Sequence, residues 1–154
     1  MKALVQRVAR GSVVVEDAEI GAIARGFVVL IGVRHGDEEK DAEFLAKKTA
    51  SLRVFPDEDQ RMNLSLVDVE GEALVISQFT LYANTCKGNR PSFVGAADPD
   101  IAERLYERYV ASLRELLGAG RVATGQFGAM MRVEIINDGP VTIELTTDEK
   151  RRDS

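Results

Sequence analysis

The chain of 154 residues carries one cysteine, one histidine and few aromatics, 6% in all. A single Cys excludes an internal disulfide framework and any metal site built on cysteines. A single His excludes a histidine cluster, and neither a His-Glu-x-x-His spacing nor a glycine-rich phosphate loop is present. No metal or other cofactor is therefore expected. No apolar run approaches the roughly 18 residues of a membrane span. The start, Met1 to Arg10, lacks the apolar core of a secretion signal. A cytoplasmic protein with no membrane partner is expected. Positive charge is also in deficit: 20 Lys and Arg stand against 25 Asp and Glu, a net charge of −5. That balance excludes coating long nucleic acid by charge alone, although a local basic patch can still grip one end. DNA is not an expected partner.

What the chain does have is apolar residue, 45% of the total. At this length roughly 70% of the unfolded surface can be buried. One domain over residues 1–147 is expected, with a charged, frayed tail over 148–154. The first third reads as strands: Leu4 and Val8 alternate against Ala3, Val5, Arg7 and Ala9, Val13 to Val15 is β-branched, and Phe27 to Val33 is almost continuously apolar. Gly11, Gly21 and Gly26 punctuate these runs as turns would. Asp37 is placed to cap a helix in which Ala42, Leu45, Thr49 and Leu52 share one face. Pro56 to Arg61 reads as a polar turn, Glu72 to Leu81 as a strand and Asn84 to Pro91 as a loop. Asp98-Pro99 opens a second helix with Ile101, Leu105, Tyr109 and Leu113 on one face, ended by Gly118 and Gly120. Met131 to Ile136 and Val141 to Leu145 read as strands on either side of a break. Strands with two helices predict an α+β fold.

The chemistry available is that of hydroxyls, amides and backbone. His35 ends an apolar strand beside Gly36 and reads as a turn histidine. Cys86 beside Lys87 has no base near it in sequence and reads as an incidental loop thiol. Ser77-Gln78-Phe79-Thr80-Leu81 follows the apolar run Ala73 to Ile76. It either presents hydroxyls and free N–H groups as an oxyanion-type site or simply turns polar residues to water. Asn137-Asp138-Gly139-Pro140-Val141-Thr142 is an Asp-Gly hairpin signal with a Pro that removes a ladder donor. It is either an ordinary hairpin or a cis Gly-Pro turn presenting its carbonyls as acceptors. Arg7, between Val5 and Ala9, needs either a partner for its donors or an edge position in water.

Taken together these segments resemble the D-aminoacyl-tRNA deacylases. The likeness runs from Gln6-Arg7-Val8 through Ser77–Leu81, Arg90-Pro91-Ser92-Phe93 and the stretch Gly125-Gln126-Phe127-Gly128-Ala129-Met130-Met131 to Asn137–Thr142. The resemblance implies a rolled, barrel-like, predominantly antiparallel sheet with two helices, forming a homodimer. It implies that Gly139 and Pro140 of one chain, with a cis bond between them, enter the partner's site. That site is formed by Ser77, Gln78, Phe79 and Thr80. Asn137, Arg7, Phe127, Ala129 and Met131 then belong to the substrate-binding surround, with Arg7 holding the Gly-Pro loop. The implied reaction is hydrolysis of the ester between a D-amino acid, or glycine, and the terminal adenosine of tRNA. Only the acceptor 3′ end is expected to be held, by cations such as Lys2, Arg10, Lys87 and Arg90. Ser77 places the chain with the D-specific group, since a sister group acting on L-alanyl esters carries Pro there. Two other functions fit the same strands: a non-catalytic RNA or peptide binding module, and a tRNA-independent esterase with Thr80 as nucleophile.

Overall fold

The computed structural model describes residues 1–148. Strand β1 (Lys2–Val15) leads into β2 (Ala18–Ile23) and β3 (Gly26–Gly32). Helix α1 (Glu39–Ser51) follows, then a short hairpin of β4 (Phe55–Pro56) and β5 (Met62–Leu64), then β6 (Glu72–Ser77). Helix α2 (Pro99–Leu117), β7 (Val122–Thr124) and β8 (Arg132–Thr146) complete the order.

Strand β1 is the spine of the sheet. One edge pairs with β8 over nearly its whole length, while the other pairs with β3 through Lys2–Val8 and with β2 through Gly11–Val15. These pairings are antiparallel; β3 to β6 and β6 to β7 are parallel. Parallel neighbours need crossovers, and α1 and α2 lie on them. Strand β2 then approaches β7, where a Cβ on Gly21 would stand 3.0 Å from the Thr124 carbonyl oxygen. The sheet is thus mixed and nearly closed into a barrel, as the α+β expectation of a rolled sheet with two helices requires.

Burial explains the patterns read from sequence. Leu45 and Ala46 of α1 and Leu105, Tyr109 and Leu113 of α2 pack with Ala3, Val5, Phe27, Val29 and Val75. Val8, Val13, Val28, Leu74 and Ile76 form a second cluster. Strand β3 feeds both clusters, which is why its sequence is continuously apolar instead of alternating.

Several local expectations need correction. Gly11 and Gly21 lie inside strands, and the reversal is made by Glu16 and Asp17, both at positive φ (48° and 64°). Gly11 is required by packing, since a Cβ there would lie 2.7 Å from Val28 Cγ2. The cap of α1 is Glu38, which forms a reciprocal capping box with Asp41. Asp37 is instead buried and accepts from the Met1 amino group at 2.8 Å and from the Arg34 backbone N–H at 2.8 Å. Burial lowers the pKa of that amino group, and the Asp37 hydrogen bond works the other way. The strand read over Glu72 to Leu81 stops at Ser77, and Phe79–Tyr82 winds into a 3-10 turn. The two C-terminal runs form one strand, because both halves pair with β1 and the break is absorbed as irregular register around Val8. Asp148, placed at the head of the expected tail, is bound by the Arg34 guanidinium; residues 149–154 lie outside the described residues.

Candidate active site

Two groups of the expected site residues emerge. The first sits at the C-terminal end of β6. Ser77 is in register with Ile31 of β3, and the Gln78 N–H donates to the Ile31 carbonyl at 2.7 Å, the last bond of that edge. Gln78 then leaves the strand (φ −143°, ψ 81°) and the chain turns. The first N–H groups of a helical turn have no intrahelical acceptor; those of Phe79 and Thr80 are unclaimed among the described residues. Gln78 Nε2 donates to Thr80 Oγ1 at 2.5 Å, and no carboxylate or imidazole hydrogen-bonds that hydroxyl among the described residues. The Phe79 ring is 56% exposed and meets Phe93 edge-on at 5.0 Å.

The position of this turn is fixed from β3. A Cβ on Gly32 would stand 3.0 Å from Leu81 Cβ and 3.2–3.3 Å from the Tyr82 ring. The Tyr82 ring also lies under Lys2 Nζ at 5.1 Å, and burial raises its phenol pKa well above the ordinary value. Gly32 and Tyr82 support the site, and neither was selected from sequence; a buried strand glycine and a loop tyrosine carry no signal until the fold brings them together. Phe93 was legible only as part of a motif.

The second group lies midway along β8. The Gly139–Pro140 peptide is cis. Asn137 spans the turn: its Oδ1 accepts the Val141 N–H at 3.0 Å and its Nδ2 donates to Thr142 Oγ1 at 2.9 Å. Arg7 Nε donates to the Asp138 carbonyl at 3.0 Å and Nη1 to the Val54 carbonyl at 2.6 Å. Arg7 is thus on an inner strand with two of its donors on backbone carbonyls, tying the loop to the chain after α1.

Phe127, Ala129 and Met131 form a third element beside β6. The Gly125 N–H donates to the Val75 carbonyl at 3.2 Å, and a Cβ on Gly125 would stand 2.6 Å from Met131 Sδ and 3.0 Å from Ile76 Cδ1. Phe127 leans on Tyr106 at 6.0 Å, and the Ala129 N–H closes a turn onto Gln126 at 3.2 Å. A cavity of about 390 Å³ opens between α2 and Phe127, and another of about 620 Å³ lies between Arg10, Ala22 and Glu134. Neither is lined by Ser77–Thr80 or Asn137–Pro140.

Among the described residues no hydrogen bond joins the Gly-Pro loop to the Ser77–Thr80 turn of the same chain. Ser77 is level with Ile31 and Ala3, whereas the loop is level with Arg7. Strands β6, β3, β1 and β8 stand side by side, giving three spacings of ~4.8 Å and an offset of about 13 Å along the strands. Along the rolled sheet surface these make a path of roughly 20 Å.

A rolled mixed sheet with a hydroxyl- and amide-rich turn at a strand end, and a Gly-Pro loop on the longest strand, belongs to the deacylase class of folds. The family model described as D-Tyr-tRNA(Tyr) deacylase matches residues 4–146. The D-aminoacyl-tRNA deacylase of Heliobacterium modesticaldum is 59% identical over 143 residues, 93% of this chain and 94% of that protein. That of Roseiflexus sp. is 56% identical over 145 residues, 94% of this chain and 92% of that protein. The solved structure of a c-Myc DNA unwinding element binding protein superposes with a TM-score of 0.90 at 44% identity, over 94% of this chain and 97% of that one. A probable eukaryotic D-amino acid tRNA deacylase shares the fold, with a TM-score of 0.80 at 17% identity over 94% and 97% of the two chains. The chain belongs to the D-Tyr-tRNA(Tyr) deacylase family and is an enzyme of the ester-hydrolase type.

Proposed function

We propose that this protein removes D-amino acids, and glycine, from the 3′-terminal adenosine of tRNA in the cytoplasm. It acts as a homodimer in which the Gly139-Pro140 loop of one chain closes the site of the other. The observation that carries this reading is the pair of unclaimed N–H groups on Phe79 and Thr80 at the end of β6. Preorganised N–H donors at such a point stabilise the oxyanion that forms when an ester carbonyl is attacked. The path of roughly 20 Å along the sheet between turn and loop of one chain favours a loop supplied by a second copy.

Thr80 is a poor nucleophile here, because its oxygen already accepts from Gln78 and no base among the described residues hydrogen-bonds it. We assign activation of water to the substrate's own 2′-hydroxyl, with Thr80 contributing its backbone. D and L esters differ only in which substituent occupies one direction at one carbon. A pocket fitted to a methylene yields only ~1–3 kcal/mol. Rigid atoms in the wrong direction yield more. The carbonyls of Gly139 and Pro140 suit this task, since Asn137 and Arg7 hold their neighbours. A rejection of about 10⁴ corresponds to about 5.5 kcal/mol, within reach of a clash plus a lost amine hydrogen bond. Glycine has no side chain to clash and passes.

Two experiments test these assignments. Thr80→Ala is expected to keep near-normal turnover of D-tyrosyl-tRNA, and a loss of several orders of magnitude would make the hydroxyl essential. Mixing a protein disrupted at residues 139–140 with one disrupted at 77–80 is expected to restore one working site per mixed dimer. No restoration would overturn the shared site.

A further inference from the structure

The geometry points to the arch over residues 84–92 as the grip for the unpaired, single-stranded 3′ end of an RNA, with Lys87 and Arg90 taking two of its phosphates. This rests on tRNA being the substrate, but, the Phe79 ring apart, it follows from features that the hydrolysis does not use. The arch is closed at its neck by two backbone bonds, Asn84 N–H to the Ser92 carbonyl at 2.7 Å and Ser92 N–H to the Asn84 carbonyl at 2.9 Å. Asn84 Oδ1 also accepts the Cys86 N–H at 2.9 Å. Gly88 makes the bend at the tip with φ 64° and no atom within 4 Å of where a Cβ would be. Lys87 and Arg90 are exposed, and neither has an ion pair or hydrogen-bond partner among the described residues.

Charge distribution makes this arch unlike the rest of the surface. In a chain with 25 acidic residues, none lies anywhere from Ala73 to Ala97. The other two cations expected to hold RNA are occupied: Arg10 is paired with Glu134 at 3.0 Å, and Lys2 faces Glu144 at 4.0 Å and the Tyr82 ring. Of the further cations without ion pairs, Arg61 and Arg104 have a carboxylate within two residues in sequence, and Lys47 and Lys48 share α1 with Glu39, Asp41 and Glu43. The arch therefore offers a phosphate two cations with no acidic residue in their own segment. The arch rises from the same segment as Phe79, whose exposed ring and edge-on contact with Phe93 give an apolar floor against which a base can stack. Its tip stands about four residues beyond the neck, a reach of at most ~14 Å. That length suits the last nucleotides next to the ester and not a distant part of the tRNA.

The test is direct binding, so it does not depend on turnover. A fluorescent RNA minihelix with an unpaired CCA end is titrated against the intact protein at 50–200 mM salt, beside the same helix with a blunt end. Two phosphate contacts on a single strand contribute a slope of about 1.4 in log affinity against log salt, roughly sevenfold over that range. The expectation is that Lys87→Gln with Arg90→Gln loses this part of the slope, and that Lys87→Arg with Arg90→Lys keeps it. The blunt helix should not show it. An unchanged slope in the glutamine variant, or equal slopes for the two RNAs, would overturn the assignment. A protein that binds as expected but cleaves no D-aminoacyl-tRNA would instead fail the deacylase reading.

Discussion

Replacing Arg7 by Lys separates what holds the Gly-Pro loop from what merely packs beneath it. The guanidinium divides its donors between the carbonyls of Val54 and Asp138. An ammonium is a single point charge without the planar fork and cannot reproduce both bonds. Val54 is 5% exposed, so its carbonyl would stay poorly solvated if abandoned, whereas Asp138 is exposed and can turn to water. Lysine is therefore expected to keep Val54 and release Asp138. Losing one bond to a charged donor costs about 1.5–2 kcal/mol, from the lower part of the usual range because the freed carbonyl is rehydrated. For a chain of this size that lowers the melting temperature by roughly 3–8 °C. If the same energy is withdrawn from the rejection of L esters, their hydrolysis rises about 10–30-fold while D-ester hydrolysis changes little. Paired deacylation of D- and L-tyrosyl-tRNA, beside a thermal melt, reads both quantities. A destabilised variant with an unchanged D-to-L ratio would show that Arg7 holds the fold and not the gate.

Three further outcomes are expected. Gly32→Ala places a methyl against Leu81 and Tyr82, within 3.0–3.3 Å. It should cost about 1–3 kcal/mol of stability and lower kcat on the order of tenfold as Phe79 and Thr80 shift; full activity would mean the turn is not fixed from β3. Tyr106→Phe removes a buried bond of 2.7 Å to the Val75 carbonyl. That carbonyl keeps the Gly125 N–H, so the loss should be only about 1 kcal/mol, and a loss above 3 kcal/mol in a urea melt would contradict the reasoning. In acid, the Arg34 hydrogen bond holds the Asp148 carboxyl below its ordinary value of 3.8, and hydrogen bonds from Ser65 do the same for Asp68. A depressed folded-state value means the contribution is complete above pH 3.8 and is lost as pH falls through the folded value. Asp148→Asn should flatten that acid limb, and an identical limb in the variant would remove Asp148 from the explanation.

The elements legible in the sequence were those whose period survives without neighbours. Helix α2 is one: Asp98-Pro99 and Gly118 mark its ends, and Leu105, Tyr109 and Leu113 are buried as their spacing requires, whereas Ile101 in the first turn is 40% exposed. Strand β3 is another, because burial on both faces leaves a continuous apolar run. The Asp-Gly signal at 138–139 failed because a turn dipeptide is a local preference, and both flanking runs gain more by pairing with β1 than with each other. Strand β7 is too short to show a period at all. The site followed the same rule. Ser77–Thr80 stood out because polar residues end an apolar strand, and Arg7 because its donors needed acceptors. Gly32 and Tyr82 did not, since the support they give depends on a contact between distant parts of the chain.

The most direct measurement is deacylation of D-tyrosyl-tRNA and L-tyrosyl-tRNA, side by side, by the purified protein with no metal added. Rapid loss of the D ester with the L ester preserved is the expected result. Equal loss of both would leave an ester hydrolase without a chiral gate at Gly139 and Pro140, and persistence of both would contradict the deacylase reading itself.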